Sequence, residues 1–151
     1  MFMKPFTQYL LGATTTLILV GILAFSRTVP QEQVEKKGSR VVFQLSTPDT
    51  AAHRALTRQL HNLLDGLPKA QVEVVVHNKG ISMLHAQKTT LANELKSLKD
   101  RGVTFVACEQ TLKQQKIEKS EILPLSGFVP HGLVEVIQKQ EQGWAYIKAG
   151  F

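Results

Sequence analysis

From residue 41 onward, short apolar runs alternate with segments that repeat leucine at helical spacing. The runs VVFQL, VEVVV and VTFVA begin at Val41, Val72 and Val103, and two weaker runs, GFVP and WAYIK, begin at Gly127 and Trp144. The second and third runs are nearly continuous and β-branched, as expected of strands that helices cover on both faces of a parallel sheet. The pattern predicts an α/β fold, a three-layer α/β/α sandwich around a five-stranded, mainly parallel sheet.

Three of the helical segments between these runs end at a glycine, Gly66, Gly102 or Gly143. The first is predicted to begin with Asp49 or Thr50 as its N-cap and to end with Gly66 as its C-cap. A second helix is predicted from Leu84 to its end at Gly102, on leucines that recur along one face. Those leucines are Leu84, Leu91, Leu95 and Leu98.

Three further helical segments follow the third strand. EQTLKQQK is a short polar helix, IEKSEIL is a further helical turn, and Leu133, Val134 and Ile137 mark a last helix that ends at Gly143. Strands and helices therefore alternate through the whole domain, which predicts crossover connections between parallel strands.

The first 26 residues are of a different composition. One charge, at Lys4, precedes the compact apolar stretch LILVGILAF, and Ala24 and Ser26 have the spacing of a signal-peptidase site. We predict that residues 1–26 are a signal peptide or an N-terminal membrane anchor, that residues 27–40 are a linker, and that residues 41–151 form the domain.

These features favour an exported or periplasmic protein, with residues 9–25 as an inner-membrane tether where the leader is retained. That segment has 17 residues, the short limit for a spanning helix. A cytoplasmic location is the alternative, because four basic residues follow the segment and only one precedes it. The four are Arg27, Lys36, Lys37 and Arg40.

The charge pattern argues against nucleic acid as a partner. The net charge is +6, but from residue 41 onward 13 Lys and Arg stand against 10 Asp and Glu, and they are scattered. Nucleic-acid surfaces cluster their basic residues and interleave aromatic ones.

Reactive side chains gather where the predicted strands end. Thr47 follows the first strand, His77 the second and His131 the fourth, while the third ends in Cys108, the only cysteine. Ligands bind at the carboxyl edge of open parallel sheets, so these residues predict a site at that edge. Two other histidines, His53 and His61, lie off the leucine stripe of the first helix and are predicted to be surface residues, and the role of His85 is left open.

Cys108 also opens a helix, where unpaired N–H groups favour an anion and lower the pKa of a thiol. Glu109 opposes this effect, so modest activation is expected. The alternative interpretation is that Cys108 is a small buried hydrophobe. No GxGxxG after the first strand, P-loop or CxxC motif and no paired strand-end carboxylates occur, and no cofactor is expected.

FVACEQTLKQQKI, VPHGLVEVIQKQEQGWAYIK and VVVHNKGISML together resemble the DsrE/DsrF-like family of small α/β proteins. The resemblance covers Val41 to Lys148. It implies a five-stranded parallel sheet in the order 4-3-2-1-5, assembly into trimers or hexamers, and a link to sulfur metabolism. The family's persulfide-carrying role transfers only to Cys108. Relatives usually have Gly where this chain has Asn78, a residue that tolerates positive φ.

Three functions follow as hypotheses. The first is a persulfide carrier that exchanges sulfur with donor and acceptor proteins through Cys108, with His77 or His131 shuttling protons. The second is a non-catalytic oligomeric module that binds a small ligand, or a soft metal held by Cys108, His77 and His131. The third is an oligomeric scaffold with a packed cysteine. The predicted ligand-binding residues are Thr47, Asn78, Gly80 and Thr111.

Overall fold

One parallel sheet organises residues 38–150, which are the residues that the computed structural model describes. Its five strands lie in the order β4-β3-β2-β1-β5. The predicted α/β fold with a five-stranded parallel sheet is confirmed, and so is the strand order that the family resemblance implied. The strands are β1 (Arg40–Leu45), β2 (Gln71–Val76), β3 (Val103–Cys108), β4 (Gly127–Val129) and β5 (Ala145–Ala149).

The predicted leader, residues 1–26, lies outside the described residues, as do the proposed tether at residues 9–25 and the predicted linker as far as residue 37. β1 begins at Arg40, and the carbonyl of Ser39 already accepts a hydrogen bond from the N–H of Gln71 (2.8 Å). Among residues 38–150, no helix combines the length and the hydropathy needed to cross a bilayer.

Four α-helices connect the strands: α1 (Thr50–Gly66), α2 (Ala92–Asp100), α3 (Glu109–Gln115) and α4 (Gly132–Glu141). α1 begins as predicted, because the side chain of Asp49 accepts a hydrogen bond from the N–H of Ala51 (2.8 Å). The predicted C-cap is wrong by one residue. Gly66 is the last helical residue, and Leu67 caps the helix by donating its N–H to Leu63 (2.7 Å).

The prediction of one helix from Leu84 to Gly102 is wrong. A short 3-10 helix (Asn78–Met83) precedes this segment, and α2 itself covers only its second half. The carbonyl of Leu84 accepts from Leu123 and the N–H of Ala86 donates to Glu121, both at 2.8 Å. This antiparallel pairing uses the backbone groups that a helix would have needed. All four leucines of the predicted stripe are nevertheless buried.

Helices cover the two faces of the sheet unequally. The face that carries Phe43, Val74 and Phe105 packs against leucines of α1, α2 and α3 in one large apolar cluster, and we call it the core face. The opposite face carries Val42, Val75 and Val106 and packs against Val136 of α4; we call it the α4 face. By strand alternation, Gln44, Glu73, His77 and Cys108 also lie on the α4 face.

α4 turns its larger apolar side chains away from the sheet. The predicted helix is present, but Leu133, Val134 and Ile137 are 58%, 46% and 53% exposed, whereas Gly132 and Val136 are buried. The neighbouring edge strand β5 is also exposed along most of its length. The outer surface of α4 therefore carries a row of three exposed apolar side chains.

Candidate functional site

Cys108 lies where β3 ends and α3 begins, at the carboxyl edge of the sheet. Its side chain is 5% exposed. The sulfur accepts a hydrogen bond from the backbone N–H of Gly132, the first residue of α4, at 3.2 Å. The thiol therefore lies at the first turns of two helices, one following it in sequence and one brought to it by the fold.

These contacts lower the pKa of the thiol. Burial alone would raise the pKa, but the polar groups around the sulfur outweigh it. These are the Thr111 hydroxyl and the N–H groups of Gly132, Thr111 and Gln110, of which the last also donates to the carbonyl of Pro130 (3.2 Å). The net effect is a pKa below the ordinary value of a cysteine. Hydrogen bonds to a charged sulfur favour the thiolate, so Cys108 is suited to carry a negative charge.

Thr111 connects the sulfur to the turn after β2. Its Oγ1 accepts a hydrogen bond from the N–H of Asn78 (3.0 Å), which leaves the hydroxyl proton for the sulfur of Cys108. Asn78 has a φ of 49°, so the turn keeps its left-handed residue without glycine, as expected. Predicted residues Asn78 and Thr111 are thus brought together with Cys108, and Asn78 contributes through its backbone.

Gly132 packs closely against the side chains of both Cys108 and His77. A Cβ placed on Gly132 would lie 3.2 Å from the Cβ of Cys108, 3.2 Å from the Cβ of His77 and 3.3 Å from Cγ1 of Val75. β2 and β3 are paired as far as Val76 and Ala107, so His77 and Cys108 follow side by side. A glycine at this position therefore lets α4 begin close to both side chains without a shift of any neighbour.

His77 is buried, with 6% of its surface exposed, and burial lowers the pKa of its imidazole below the ordinary value. The buried ring is therefore neutral over most of the physiological pH range. Its Nε2 atom lies 2.8 Å from Nε2 of Gln44 in β1. His77 is thus a buried and neutral neighbour of Cys108.

Gln44 and Tyr146 extend this network, and neither is among the predicted site residues. The Tyr146 hydroxyl, on β5, donates a hydrogen bond to Oε1 of Gln44. One signal was present in the sequence, because Gln44 is the only polar residue in the apolar run VVFQL. A polar residue inside a buried strand needs a hydrogen-bonding partner.

Thr47 and Gly80 have structural roles at the same edge. The hydroxyl of Thr47 accepts from the N–H of Asp49 (3.2 Å), and its carbonyl lies 2.8 Å from Nε2 of His53. A Cβ on Gly80 would lie 2.7 Å from the carbonyl oxygen of Leu45, so Gly80 packs directly on the end of β1. Their assignment as ligand-binding residues remains a prediction.

His131 is exposed at the N-cap position of α4, and its side chain makes no capping hydrogen bond. It precedes Gly132, but the structure does not place its ring with Cys108 and His77 in a metal-binding arrangement. Within residues 38–150, no group of three or more His, Cys, Asp or Glu side chains could hold a metal ion. The hypothesis of a soft-metal site on these three residues therefore has no support in the geometry.

The prediction that His53 is a surface residue is wrong. His53 is 3% exposed, because its ring lies against the backbone that precedes α1, with Nε2 2.8 Å from the carbonyl oxygen of Thr47. His61 is half-buried beside Arg101. His85 is 3% exposed and accepts a hydrogen bond from the N–H of Gln87, a structural role.

Glu109 does not leave an unpaired charge beside the sulfur, as the sequence had led us to expect. Its Oε1 lies 2.5 Å from Nζ of Lys119. The partner offsets much of the repulsion that a bare carboxylate would exert on a thiolate.

A family model described as the DsrE/DsrF-like family matches residues 39–149, nearly the whole described domain. No curated protein matches the chain. Among solved structures, the protein of unknown function MTH1491 from Methanobacterium thermoautotrophicum superposes with a TM-score of 0.70 at 28% identity, covering 73% of this chain and 98% of its own. The conserved protein of unknown function BT1422 from Bacteroides thetaiotaomicron has the same fold, with a TM-score of 0.61, 14% identity and coverages of 73% and 94%.

Proposed function

We propose that this chain, which belongs to the DsrE/DsrF-like family, handles sulfur by carrying it as a persulfide on Cys108. The observation that carries the proposal is the polar surrounding of the sulfur, above all the Thr111 hydroxyl and the Gly132 N–H, whose nitrogen lies 3.2 Å from the sulfur; together they help to lower the pKa of the thiol. These donors favour the thiolate that attacks the sulfur donor and that forms again when the outer sulfur is passed on.

The proposed step conserves atoms and electrons. The Cys108 thiolate attacks the outer sulfur of a donor hydropersulfide, R–S–SH, forming a new S–S bond while the donor's S–S bond breaks. The R–S⁻ leaving group takes the proton of the outer sulfur, so Cys108 becomes a persulfide anion and the donor becomes a thiol. A second thiolate then removes the outer sulfur from Cys108 by the same exchange. The donor and acceptor are expected to be proteins or small thiols.

Intact-mass spectrometry tests this function directly. Incubation of the purified chain with a small-molecule persulfide should add about 32 Da, the mass of one sulfur atom, and the Cys108→Ser variant should add none. An acceptor thiol should then remove the added mass. If the wild-type protein gains no sulfur while iodoacetamide alkylates its native thiol, the proposal is wrong.

Thr111→Val provides a matched variant for the mechanism. It removes the hydroxyl donor, so the pKa of Cys108 should rise, since a hydrogen bond to a charged group is worth about 1.5–3 kcal/mol. A thiol of higher pKa is less ionised but more nucleophilic, with a Brønsted coefficient of about 0.4–0.5, so sulfur uptake at neutral pH should slow by roughly threefold or more. Thr104→Val makes the same change earlier on β3 and is the control. Equal rates in the two variants would contradict the role given to Thr111.

The second hypothesis from the sequence, a non-catalytic oligomeric module, is supported in one respect, the exposed apolar surface of α4. We propose that Leu133, Val134 and Ile137, all exposed on α4, form a contact between copies of this chain in a homotrimer or homohexamer. Sedimentation equilibrium of the folded domain would measure the mass, and a monomer at micromolar concentration would contradict the assembly.

Export also remains a proposal, which rests on the composition of residues 1–26.

A further inference from the structure

We propose that Gln44 and Tyr146 are positioning residues that hold His77 in the tautomer with its proton on Nδ1, so that the ring offers an N–H donor beside Cys108. The chemical consequence of this arrangement rests on the proposed sulfur-handling function. The tautomer itself does not, and it can be measured independently.

The geometry is a hydrogen-bonded row across three neighbouring strands. Tyr146 on β5 donates its hydroxyl to Oε1 of Gln44 on β1, and Nε2 of Gln44 lies 2.8 Å from Nε2 of His77, just after β2. Tyr146 is 40% exposed and His77 is 6% exposed. The row therefore connects the open edge of the sheet to a buried imidazole.

The donor and acceptor at each position of the row follow from the hydrogen bond before it, starting at Tyr146. Oε1 of Gln44 is the acceptor for Tyr146, so the other end of the amide, an NH₂ group that can only donate, faces His77. Nε2 of His77 must then accept and carry no proton. A neutral imidazole holds its single proton on the other nitrogen, which makes Nδ1 the donor.

The surroundings of His77 oppose the alternative states. A proton on Nε2 would set two donors against each other across 2.8 Å. To avoid this, the Gln44 amide would have to turn over, and the Tyr146 hydroxyl would have to accept a hydrogen bond in place of donating one. Burial independently lowers the pKa of His77 and so disfavours the doubly protonated ring.

His77 is placed to act on the same sulfur chemistry as Cys108. Both Cβ atoms lie within contact distance of one point, the Cβ position of Gly132. When the donor's S–S bond breaks, negative charge develops on the leaving sulfur. An Nδ1–H donor at this edge stabilises that charge by a hydrogen bond and need not lose its proton.

Nitrogen NMR of histidine-labelled full-length protein tests the tautomer. The wild-type spectrum should show a protonated Nδ1 and a bare Nε2 at His77. Gln44→Glu places a carboxylate that only accepts, so it should move the proton to Nε2. Tyr146→Phe removes only the hydroxyl that orients the amide, and it should leave a mixture of the two tautomers. Ile147→Val alters the next residue of β5, on the core-face side, and should leave the wild-type pattern.

Two NMR results would overturn the proposal: an Nε2 proton in the wild-type protein, or an unchanged tautomer in Gln44→Glu.

The sulfur-uptake rate then tests the chemical consequence of the tautomer. Tyr146→Phe should slow uptake by roughly two- to tenfold, the worth of one hydrogen bond, while Ile147→Val should not. An unchanged rate in a variant that has lost the tautomer would overturn the positioning role. If the wild-type chain takes up no sulfur at all, the proposed function fails, and the NMR result alone decides whether Gln44 and Tyr146 control His77.

Discussion

β2 turns Val72, Val74 and Val76 to one side of the sheet and Glu73, Val75 and His77 to the other, and all six are buried. On the core face the valines join an apolar cluster that draws on four strands, on α1, α2 and α3, and on the 3-10 helix and the loops between them. On the α4 face a single helix covers valines that are interspersed with a carboxylate, an amide, an imidazole and a thiol. The first arrangement stabilises the domain by burying apolar surface. The second buries polar groups in place of apolar ones, and each of these polar groups needs a hydrogen-bonding or charged partner.

The polar groups of the α4 face are paired across long sequence distances. Glu73 lies 2.7 Å from Nζ of Lys139 on α4, which also lies 3.4 Å from Glu135 and over the ring of Trp144. Burial raises the pKa of Glu73 even though Lys139 lowers it, and Oε1 of Glu73 has no hydrogen-bond partner among the described residues. A face held by such contacts contributes less stability per buried residue than an apolar one.

Removing a large side chain from the core face should produce the largest effect. Phe105→Ala deletes a fully buried ring and should lower the free energy of unfolding by about 3–5 kcal/mol, whereas Val106→Ala, the next residue but on the α4 face, should cost about 1–2 kcal/mol. Urea unfolding measures both. The thiol of folded Phe105→Ala should keep the wild-type alkylation profile, and an altered profile would show that the two faces are not independent.

Gly132→Ala should disturb the site more than the core. The added Cβ would meet the side chains of Cys108, His77 and Val75 at 3.2–3.3 Å, so α4 must shift, at a cost of about 1–3 kcal/mol. The shift also lengthens the hydrogen bond to the sulfur, so alkylation at neutral pH should slow. Gly127→Ala is the control, because its Cβ would meet only ordinary contacts at 3.5 Å and beyond. Equal alkylation rates in the two variants would remove Gly132 from the site.

The smallest effect concerns acid stability. The pKa of His77 is lowered in the folded chain from an ordinary value near 6.5, so the unfolded chain takes up this proton first as the pH falls. His77 therefore contributes its full share of stability above pH 6.5 and loses it as the pH falls through the folded pKa. Unfolding free energies measured from pH 7.5 to pH 5 should fall less steeply for His77→Asn than for the wild type. His131→Asn makes the same change at an exposed position, and parallel curves for wild type and His77→Asn would contradict the prediction.

Much of the fold could be predicted because it depends on short-range patterns. The β-branched runs predicted β2 and β3, the Asp49 cap predicted the start of α1, and the strand end predicted that Cys108 lies at the carboxyl edge of the sheet. The helix from Leu84 was the main error. Its leucines had the correct spacing for burial, but segment 84–86 pairs with segment 121–123, a contact that periodicity cannot reveal.

The sequence by itself therefore determined the order and type of the elements and the edge at which the thiol lies, since these depend on neighbours a few residues away. The state of the thiol was decided by the tertiary structure. The Gly132 N–H that reaches Cys108 comes from 24 residues further along the chain, and the Tyr146 hydroxyl that orients Gln44 comes from 102 residues further along. These hydrogen bonds join distant parts of the chain. Those parts come within about 3 Å of each other only when the whole sheet forms and α4 packs on it.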